Sequence, residues 1–149
     1  MKASKNAYSL IRRFEGKSNK AYQDSAGVWT IGYGHTGGVV KGQTISDDEV
    51  ERLLAEDVAV AENAVNAQNL NLTQDQFDAL VDFVFNLGAG NFNKSTLLKK
   101  ISNDPNDPTI YDEFLRWVYA GGVKLLGLVR RRTDEANLYF TGISKKKVI

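Results

Sequence analysis

The sequence predicts an α+β fold, mostly helical, in which a small N-terminal antiparallel sheet lobe is joined by a long helix to a helical lobe. Two observations support this prediction. Short strand-like runs separated by turn residues lie between residues 20 and 45. Helix-capping sequences then open two long segments whose apolar residues recur at helical spacing. Because so small a sheet cannot bury a core alone, it must pack against the helices, and we expect a cleft where they meet.

The chain of 149 residues suits a single domain with two lobes. We expect the small lobe over residues 15–50, and the helical lobe over residues 68–142 together with the N-terminal helix. There is no cysteine and only one histidine, so disulfides and thiolate metal sites are excluded and a zinc site is not expected. We expect the protein to use no metal and no cofactor.

The net charge is only +1, but it is unevenly distributed along the chain. Residues 1–41 carry +5, residues 42–90 carry −9 and residues 91–149 carry +5. A basic surface would ease approach to an anionic polymer, although ordinary solvated faces explain each cluster equally well. We expect a monomer that binds no nucleic acid.

Neither a signal peptide nor a membrane span is visible. The first residues carry charges every few positions, and no run approaches the roughly 20 apolar residues that cross a bilayer. We therefore expect a chain that does not insert into a membrane and stays in the cytoplasm until something releases it.

The first part of the chain is predicted to form one helix followed by the small sheet. The helix runs from Lys5 to Phe14 on an apolar face of helical period, and Gly16 stops it. The predicted sheet elements are the strand Ala21–Gln23, the turn Asp24–Gly27, the strand Val28–Ile31 and a candidate third strand over residues 39–45.

The rest of the chain is predicted to be helical. Capping boxes at Ser46–Glu49 and Thr73–Gln76 open helices that run to about Ala67 and Leu87. The second of these helices is the most hydrophobic segment and therefore the predicted centre of the core. Three further helices are predicted over residues 95–102, capped by Ser95, over residues 108–119, beginning at a proline, and over residues 128–140, ending at Gly142.

Two acidic side chains have the chemistry needed to hydrolyse an acetal. Such a reaction needs one carboxyl kept neutral by apolar surroundings and another kept ionised. Glu15 lies beside Phe14 and an apolar helix face, so it is the candidate acid, and Asp24 lies in a polar turn, so it is the candidate base. Two acids at this spacing are common in globular domains, and the pair alone is not specific.

The longer pattern from Glu15 to His35 is more specific than the pair of acids alone. Glu15 is followed after eight residues by Asp24, after five more by Thr30, and then by Ile-Gly-Tyr-Gly-His. This pattern resembles the catalytic motif of the phage-type lysozymes, glycoside hydrolase family 24. Phe85–Gly88 and Gly127–Phe140 resemble further segments of that family in the same order, so the resemblance covers nearly the whole chain.

The resemblance implies a lysozyme-like body and a muramidase of the endolysin type. Its reaction would be cleavage of the β-1,4 bond between N-acetylmuramic acid and N-acetylglucosamine in peptidoglycan. Glu15 would protonate the leaving oxygen, and Asp24 with the Thr30 hydroxyl would hold and activate water on the opposite sugar face, an inverting reaction. A pore-forming partner such as a phage holin would release the enzyme to the cell wall.

The resemblance also suggests residues that contact the substrate. Phe85 and Asn86 fall in the segment that borders the sugar-binding cleft, although core packing explains Phe85 equally well. Trp29 and Tyr22 would stack on sugar rings or simply pack on the sheet. In this family the histidine, here His35, is positional, so we expect a structural imidazole bonded to a carboxylate.

One arginine of Arg130–Arg132 is expected to reach Glu15 and hold it in place, and a solvated basic face is the alternative. Two other functions remain open. A lytic transglycosylase typically works with one catalytic carboxylate, so the presence of Asp24 and Thr30 argues against it. A non-catalytic peptidoglycan-binding module would be indicated by the loss of Glu15, which is present.

Overall fold

The computed structural model describes residues 1–141, which form seven helices and two small antiparallel pairs of strands. The helices are α1 (Lys5–Glu15), α2 (Asp47–Asn66), α3 (Gln74–Leu87), α4 (Ala89–Asn93), α5 (Thr96–Asn103), α6 (Ile110–Phe114) and α7 (Leu126–Tyr139). The strands are β1 (Ser18–Gln23), β2 (Trp29–Gly32), β3 (Tyr119–Ala120) and β4 (Val123–Lys124). The predicted α+β class, mostly helical with a small early sheet, is confirmed.

Helix α1 begins and ends close to the predicted residues. The Ser4 side chain caps its first turn by accepting from the Asn6 backbone, and the same hydroxyl donates to Asp78 of α3. Gly16 ends the helix in a left-handed conformation with φ of 68° that favours glycine. Glu15 is therefore the last helical residue, and its backbone is fixed by the packing of the helix.

The predicted sheet has two strands instead of three. In β1 and β2, Tyr22 lies opposite Thr30 and Gln23 lies opposite Trp29. The prediction of a third strand over residues 39–45 is wrong, because a turn from Val40 to Gln43, with Gly42 at φ of 83°, interrupts the extended backbone. The end of this segment still bonds to β1 through the Ala21 amide and the Gln43 carbonyl at 2.9 Å.

Helices α2 and α3 begin at the predicted caps. Ser46 accepts a hydrogen bond from the Glu49 backbone at 3.2 Å, but the Glu49 carboxylate turns outward to Arg52, so only half of that capping box forms. Thr73 and Gln76 form the complete reciprocal box at the start of α3. The 20 residues of α2 span roughly 30 Å, enough to run from the sheet to the helical part of the chain.

The C-terminal third differs most from the prediction. The helix predicted over residues 108–119 is wrong beyond Phe114, because α6 is short and the chain then turns into the hairpin of β3 and β4. Gly121 and Gly122 both have positive φ, which is the turn geometry that joins two twisted strands most favourably. Helix α4 was not predicted, and the predicted helix end at Gly142 lies outside the described residues.

Helix α3 is the centre of the core, as predicted. It packs against α1, α2, α4 and α7, and its apolar side chains from Phe77 to Val84 are almost fully buried. Phe83 contacts Phe92, Phe114 and Trp117 edge-on, with ring centroids 5.7–6.2 Å apart. None of the helices formed by residues 1–141 combines the length and apolarity needed to cross a bilayer.

The capping box of α3 gives a test of the fold. We expect Thr73→Ala to lower the free energy of unfolding by about 1 kcal/mol, because the Gln76 backbone amide loses its acceptor. Thr96→Ala is the matched control, since Thr96 is an exposed threonine at the first position of α5, where Ser95 supplies the cap. Denaturant unfolding of both variants measures the difference. Equal stability of the two variants would contradict this prediction.

Candidate active site

Glu15 lies at the end of α1 with only 19% of its side chain exposed. One carboxylate oxygen accepts a hydrogen bond from Nη1 of Arg131 at 2.6 Å. The expectation that one of the three consecutive arginines reaches Glu15 is confirmed, and the arginine is Arg131. We expected apolar surroundings for Glu15, and this expectation is wrong on the side that faces Arg131. There the carboxylate contacts a guanidinium and not apolar side chains.

The backbone at Gly34 closes over the other side of the Glu15 carboxylate. A β-carbon at this position would lie 3.0 Å from the carboxyl carbon and would overlap one of the oxygens. Gly34 also has φ of 76°, a conformation that L side chains rarely adopt. Glycine is therefore required here both for the turn and for the close approach to Glu15.

Asp24 is exposed in the turn between β1 and β2. Its Oδ1 accepts hydrogen bonds from the Ala26 and Val28 backbone amides, both at 2.9 Å. These two bonds fix the carboxylate plane, and within residues 1–141 they leave Oδ2 free to hold a water molecule. The turn predicted from its composition is thus built around the side chain of this acid.

Tyr22 lies near both acids. The residue is 38% exposed, and burial, followed by the nearby Glu15 and Asp24 carboxylates, raises the pKa of its hydroxyl. Thr30, its cross-strand neighbour, is buried and donates its hydroxyl proton to the Val28 carbonyl at 2.9 Å. The threonine oxygen keeps its capacity to accept a hydrogen bond. Trp29 is half-buried beside Gln23 on the same pair of strands.

His35 is held between two acceptors. Its Nδ1 is 2.7 Å from Oδ2 of Asp57 on α2, and its Nε2 is 2.9 Å from the Gly37 carbonyl. The expected contact of the imidazole with a carboxylate is confirmed. These contacts attach the loop after β2 to α2.

Phe85 and Asn86 lie at the end of α3. Phe85 packs against the core and also lines a groove of about 330 Å³ between the loop of His35 and helix α2. Core packing of Phe85 is thus confirmed, and its contact with substrate stays a prediction. Asn86 is half-buried, and its side-chain oxygen accepts from Nη2 of Arg132 at 2.6 Å.

Behind Glu15 lies a buried cluster of charged side chains that the sequence did not reveal. Arg131 donates two hydrogen bonds to Asp82, at 2.8 and 2.9 Å, in addition to its bond to Glu15. Arg132 and Glu135 are both fully buried, with Nε of the arginine 3.1 Å from the carboxylate. The only sequence signal for this cluster was polar residues on apolar helix faces, Asp82 on α3 and Glu135 on α7.

The cluster shifts the pKa values of its members in opposite directions. Burial, followed by the neighbouring Asp82 carboxylate, raises the pKa of Glu135 well above its ordinary value. For Asp82 burial acts in the same direction, but the bonds from Glu135 and Arg131 outweigh it and lower the pKa. For the Arg131 guanidinium, burial acts to lower the pKa, but the neighbouring Asp82 and Glu15 carboxylates outweigh burial and raise it. Arg131 is therefore a permanent cation with two carboxylate partners.

The arrangement has the elements of an acid–base site. One carboxyl is enclosed by Gly34 and Arg131, and a second is exposed and fixed by backbone donors. Residues 1–141 contain no group of three side chains that could bind a metal ion together.

Comparison with known proteins identifies the family of this chain. The sequence model of the phage lysozyme family matches residues 12–135. An endolysin of Bacillus phage B103 is 42% identical over 149 residues, which cover 97% of this chain and 56% of that protein. An endolysin of Acyrthosiphon pisum secondary endosymbiont phage 1 is 40% identical over 93% of this chain and 98% of its own length.

Solved structures show the same relationship. An endolysin from Escherichia coli O157:H7 phage FAHEc1 superposes with a TM-score of 0.86 at 34% identity, covering 95% of this chain and 95% of that chain. The chain spans little more than half the length of the Bacillus phage relative but nearly all of the endosymbiont phage relative. The family match over most of the sequence and these relatives together show that this chain belongs to the phage lysozyme family.

Proposed function

We propose that the protein is a peptidoglycan-hydrolysing muramidase of the endolysin type, with Glu15 as general acid and Asp24, assisted by Thr30, positioning the attacking water. The enzyme class, a glycoside hydrolase, follows from membership of the family. The bond cleaved is the β-1,4 link between N-acetylmuramic acid and N-acetylglucosamine. One observation carries the assignment of roles: the Glu15 carboxyl is enclosed by Gly34 and Arg131, whereas the Asp24 carboxylate is exposed and held by two backbone amides.

The surroundings of Glu15 support its role as the acid. The carboxyl is mostly shielded from water, and α1, Gly34 and Arg131 fix its orientation. A proton donor must hold one geometry toward the leaving oxygen, and a side chain at a packed helix end meets this requirement.

The surroundings of Asp24 and Thr30 support a role in holding water. Asp24 is ionisable, exposed and fixed by two backbone donors, so its second oxygen can accept a proton from water. Thr30 is small and its hydroxyl is already oriented by the Val28 carbonyl, so its oxygen can accept from the same water. Attack by water on the face opposite the acid inverts the configuration of the sugar.

Substrate contacts are proposed for Trp29, Phe85 and Asn86. Trp29 is half-buried on β2, opposite Gln23, the residue before Asp24, and Phe85 lines the groove next to His35. Asn86 accepts from Arg132, which orients the amide so that its NH₂ group can donate to a sugar oxygen.

The first test is Glu15→Gln. We expect wall lysis to fall below about one hundredth of the wild-type rate, because the amide keeps the shape of the carboxyl but cannot donate the required proton. The assay is the loss of turbidity of purified cell walls. Glu56→Gln on the exposed face of α2 is the control and should keep full activity. Lysis by Glu15→Gln above roughly a tenth of wild type would refute the role of the acid.

The second test concerns stereochemistry. If Asp24 acts through water held with Thr30, the first product from a β-linked substrate is the α-anomer. Rapid NMR of early hydrolysis products identifies the anomer before mutarotation. A β-anomer formed first would mean a double displacement with Asp24 as the nucleophile. A product without a reducing end would indicate a lytic transglycosylase.

The third test concerns release to the substrate. We propose that the chain accumulates inside the cell and reaches peptidoglycan only when the membrane is permeabilised, by solvent or by a pore-forming partner such as a holin. Culture density is followed after expression in a Gram-negative host, with and without chloroform. We expect prompt lysis only with chloroform, and Glu15→Gln should not lyse in either case. Lysis by the wild type without permeabilisation would refute this proposal.

A further inference from the structure

Arg132 is among the largest side chains that the fold buries completely, and it lies beside the end of α3. Its guanidinium stacks on the ring of Phe83, with the central carbon 5.2 Å from the ring centroid. The carboxylate of Glu135, which is also fully buried, lies 3.1 Å from Nε. A buried ion pair is often no more stabilising than apolar side chains of the same volume, so the filling of space does not account for Arg132.

Asn86 is the one hydrogen-bond acceptor that this guanidinium reaches within residues 1–141. Nη2 donates to the amide oxygen of Asn86 at 2.6 Å. Nε and Nη1 are buried without a hydrogen-bond partner in this part of the chain, and so are both oxygens of Glu135. Glu135 therefore balances the charge of Arg132 through a close contact that lacks hydrogen-bond geometry, and the directional bond goes to Asn86 alone.

The bond from Arg132 fixes the orientation of the Asn86 amide. An arginine side chain carries donors and no acceptor, so only the amide oxygen can make the contact at 2.6 Å. The NH₂ group then points away from Arg132. Asn86 is half-buried, so part of the side chain is open to a ligand, and toward that ligand the amide presents its donor end.

An apolar surface lies next to this donor. Phe85, the preceding residue, lines the groove of about 330 Å³ together with the apolar side chains of Val60, Ala61, Val84 and Ala89. A hydrogen-bond donor beside an apolar surface fits an acetamido group, because that group combines a carbonyl oxygen with a methyl group. Both sugars of the proposed substrate carry this group.

We propose that Arg132, with its charge balanced by Glu135, is a positioning residue for substrate recognition: by occupying the Asn86 oxygen it directs the amide donor toward the glycan, where the donor binds the carbonyl oxygen of an N-acetyl group. Arg132 does not touch the substrate and acts only through Asn86. This inference rests on the proposed function, since Asn86 must border the bound glycan. It concerns binding and is independent of the acid and base chemistry.

The affinity for soluble glycan fragments of peptidoglycan tests the proposal. Every protein carries Glu15→Gln, so that calorimetry measures the Kd without turnover. We expect Asn86→Ala to raise the Kd about tenfold, the value of one hydrogen bond to the ligand. Arg132→Met combined with Glu135→Leu removes the buried pair without leaving either charge unpaired, and it should also raise the Kd because the amide then turns freely.

A double-mutant cycle separates positioning from a general structural role. If Arg132 acts only through Asn86, removing the buried pair from a protein that already carries Asn86→Ala should cause no further loss of affinity. An equal loss in both backgrounds would overturn the proposal. Lys100→Met combined with Glu113→Leu is the matched control, because it removes an ion pair between α5 and α6 and should leave the Kd unchanged.

Asn86→Asp tests the direction of the bond and keeps the buried pair. One carboxylate oxygen accepts from Arg132 in a charge-assisted bond, so denaturant unfolding should show a fold at least as stable as that of the parent. The other oxygen is an acceptor where the amide presented a donor, so affinity for N-acetylated fragments should fall by about tenfold or more. Fragments whose N-acetyl groups have been removed carry an ammonium donor instead, and they should bind this variant more tightly than the parent.

The same measurements separate this inference from the proposed function. An unchanged preference of Asn86→Asp between the two kinds of fragment would overturn the positioning role of Arg132 alone. Failure of the Glu15→Gln parent to bind N-acetylated fragments would overturn the proposed function, and this inference with it.

Discussion

The guanidinium of Arg131 is the interaction on which the site depends. It joins α1, α3 and α7 at one point, because its three nitrogens donate to Glu15 and Asp82 while its backbone belongs to the last helix. Its side chain is only 5% exposed, so these bonds form where water cannot compete for them. A change at Arg131 would leave two acids in this region without their cation, which is more costly than losing an exposed ion pair.

The rest of the fold brings these groups together. Helix α3 supplies Asp82 on the same helix whose phenylalanines form the core, so the polar cluster cannot move without disturbing the packing around it. The loop after β2 is attached to α2 by the contact of His35 with Asp57, and Gly34 on that loop closes over Glu15. The small sheet thus depends on the helices for its position, while it carries Asp24 and Thr30.

Local patterns in the sequence were sufficient for features that depend on neighbouring residues. The end of α1 at Glu15, the cap of α3 at Thr73, the turn at Asp24 and the cap at Ser95 all rest on short-range hydrogen bonds. The prediction of one helix over residues 108–119 was wrong beyond Phe114, because the structure there does not follow from the local pattern alone. Apolar residues continue at helical spacing past Phe114, so the pattern predicts a longer helix. Gly121 and Gly122 instead favour a hairpin, whose strand pairing cannot be predicted from helical periodicity.

The sequence by itself determined the fold class, the positions of Glu15, Asp24 and Thr30 along the chain, and the family to which they point. Only the tertiary structure decided which arginine meets Glu15, and that Asp82 and Glu135 stand behind it. The physical reason is distance along the chain, since Arg131 is 116 residues from Glu15 and 49 from Asp82. Three adjacent arginines have the same local pattern, and only the packing of α7 against α3 directs Arg131 and Arg132 inward.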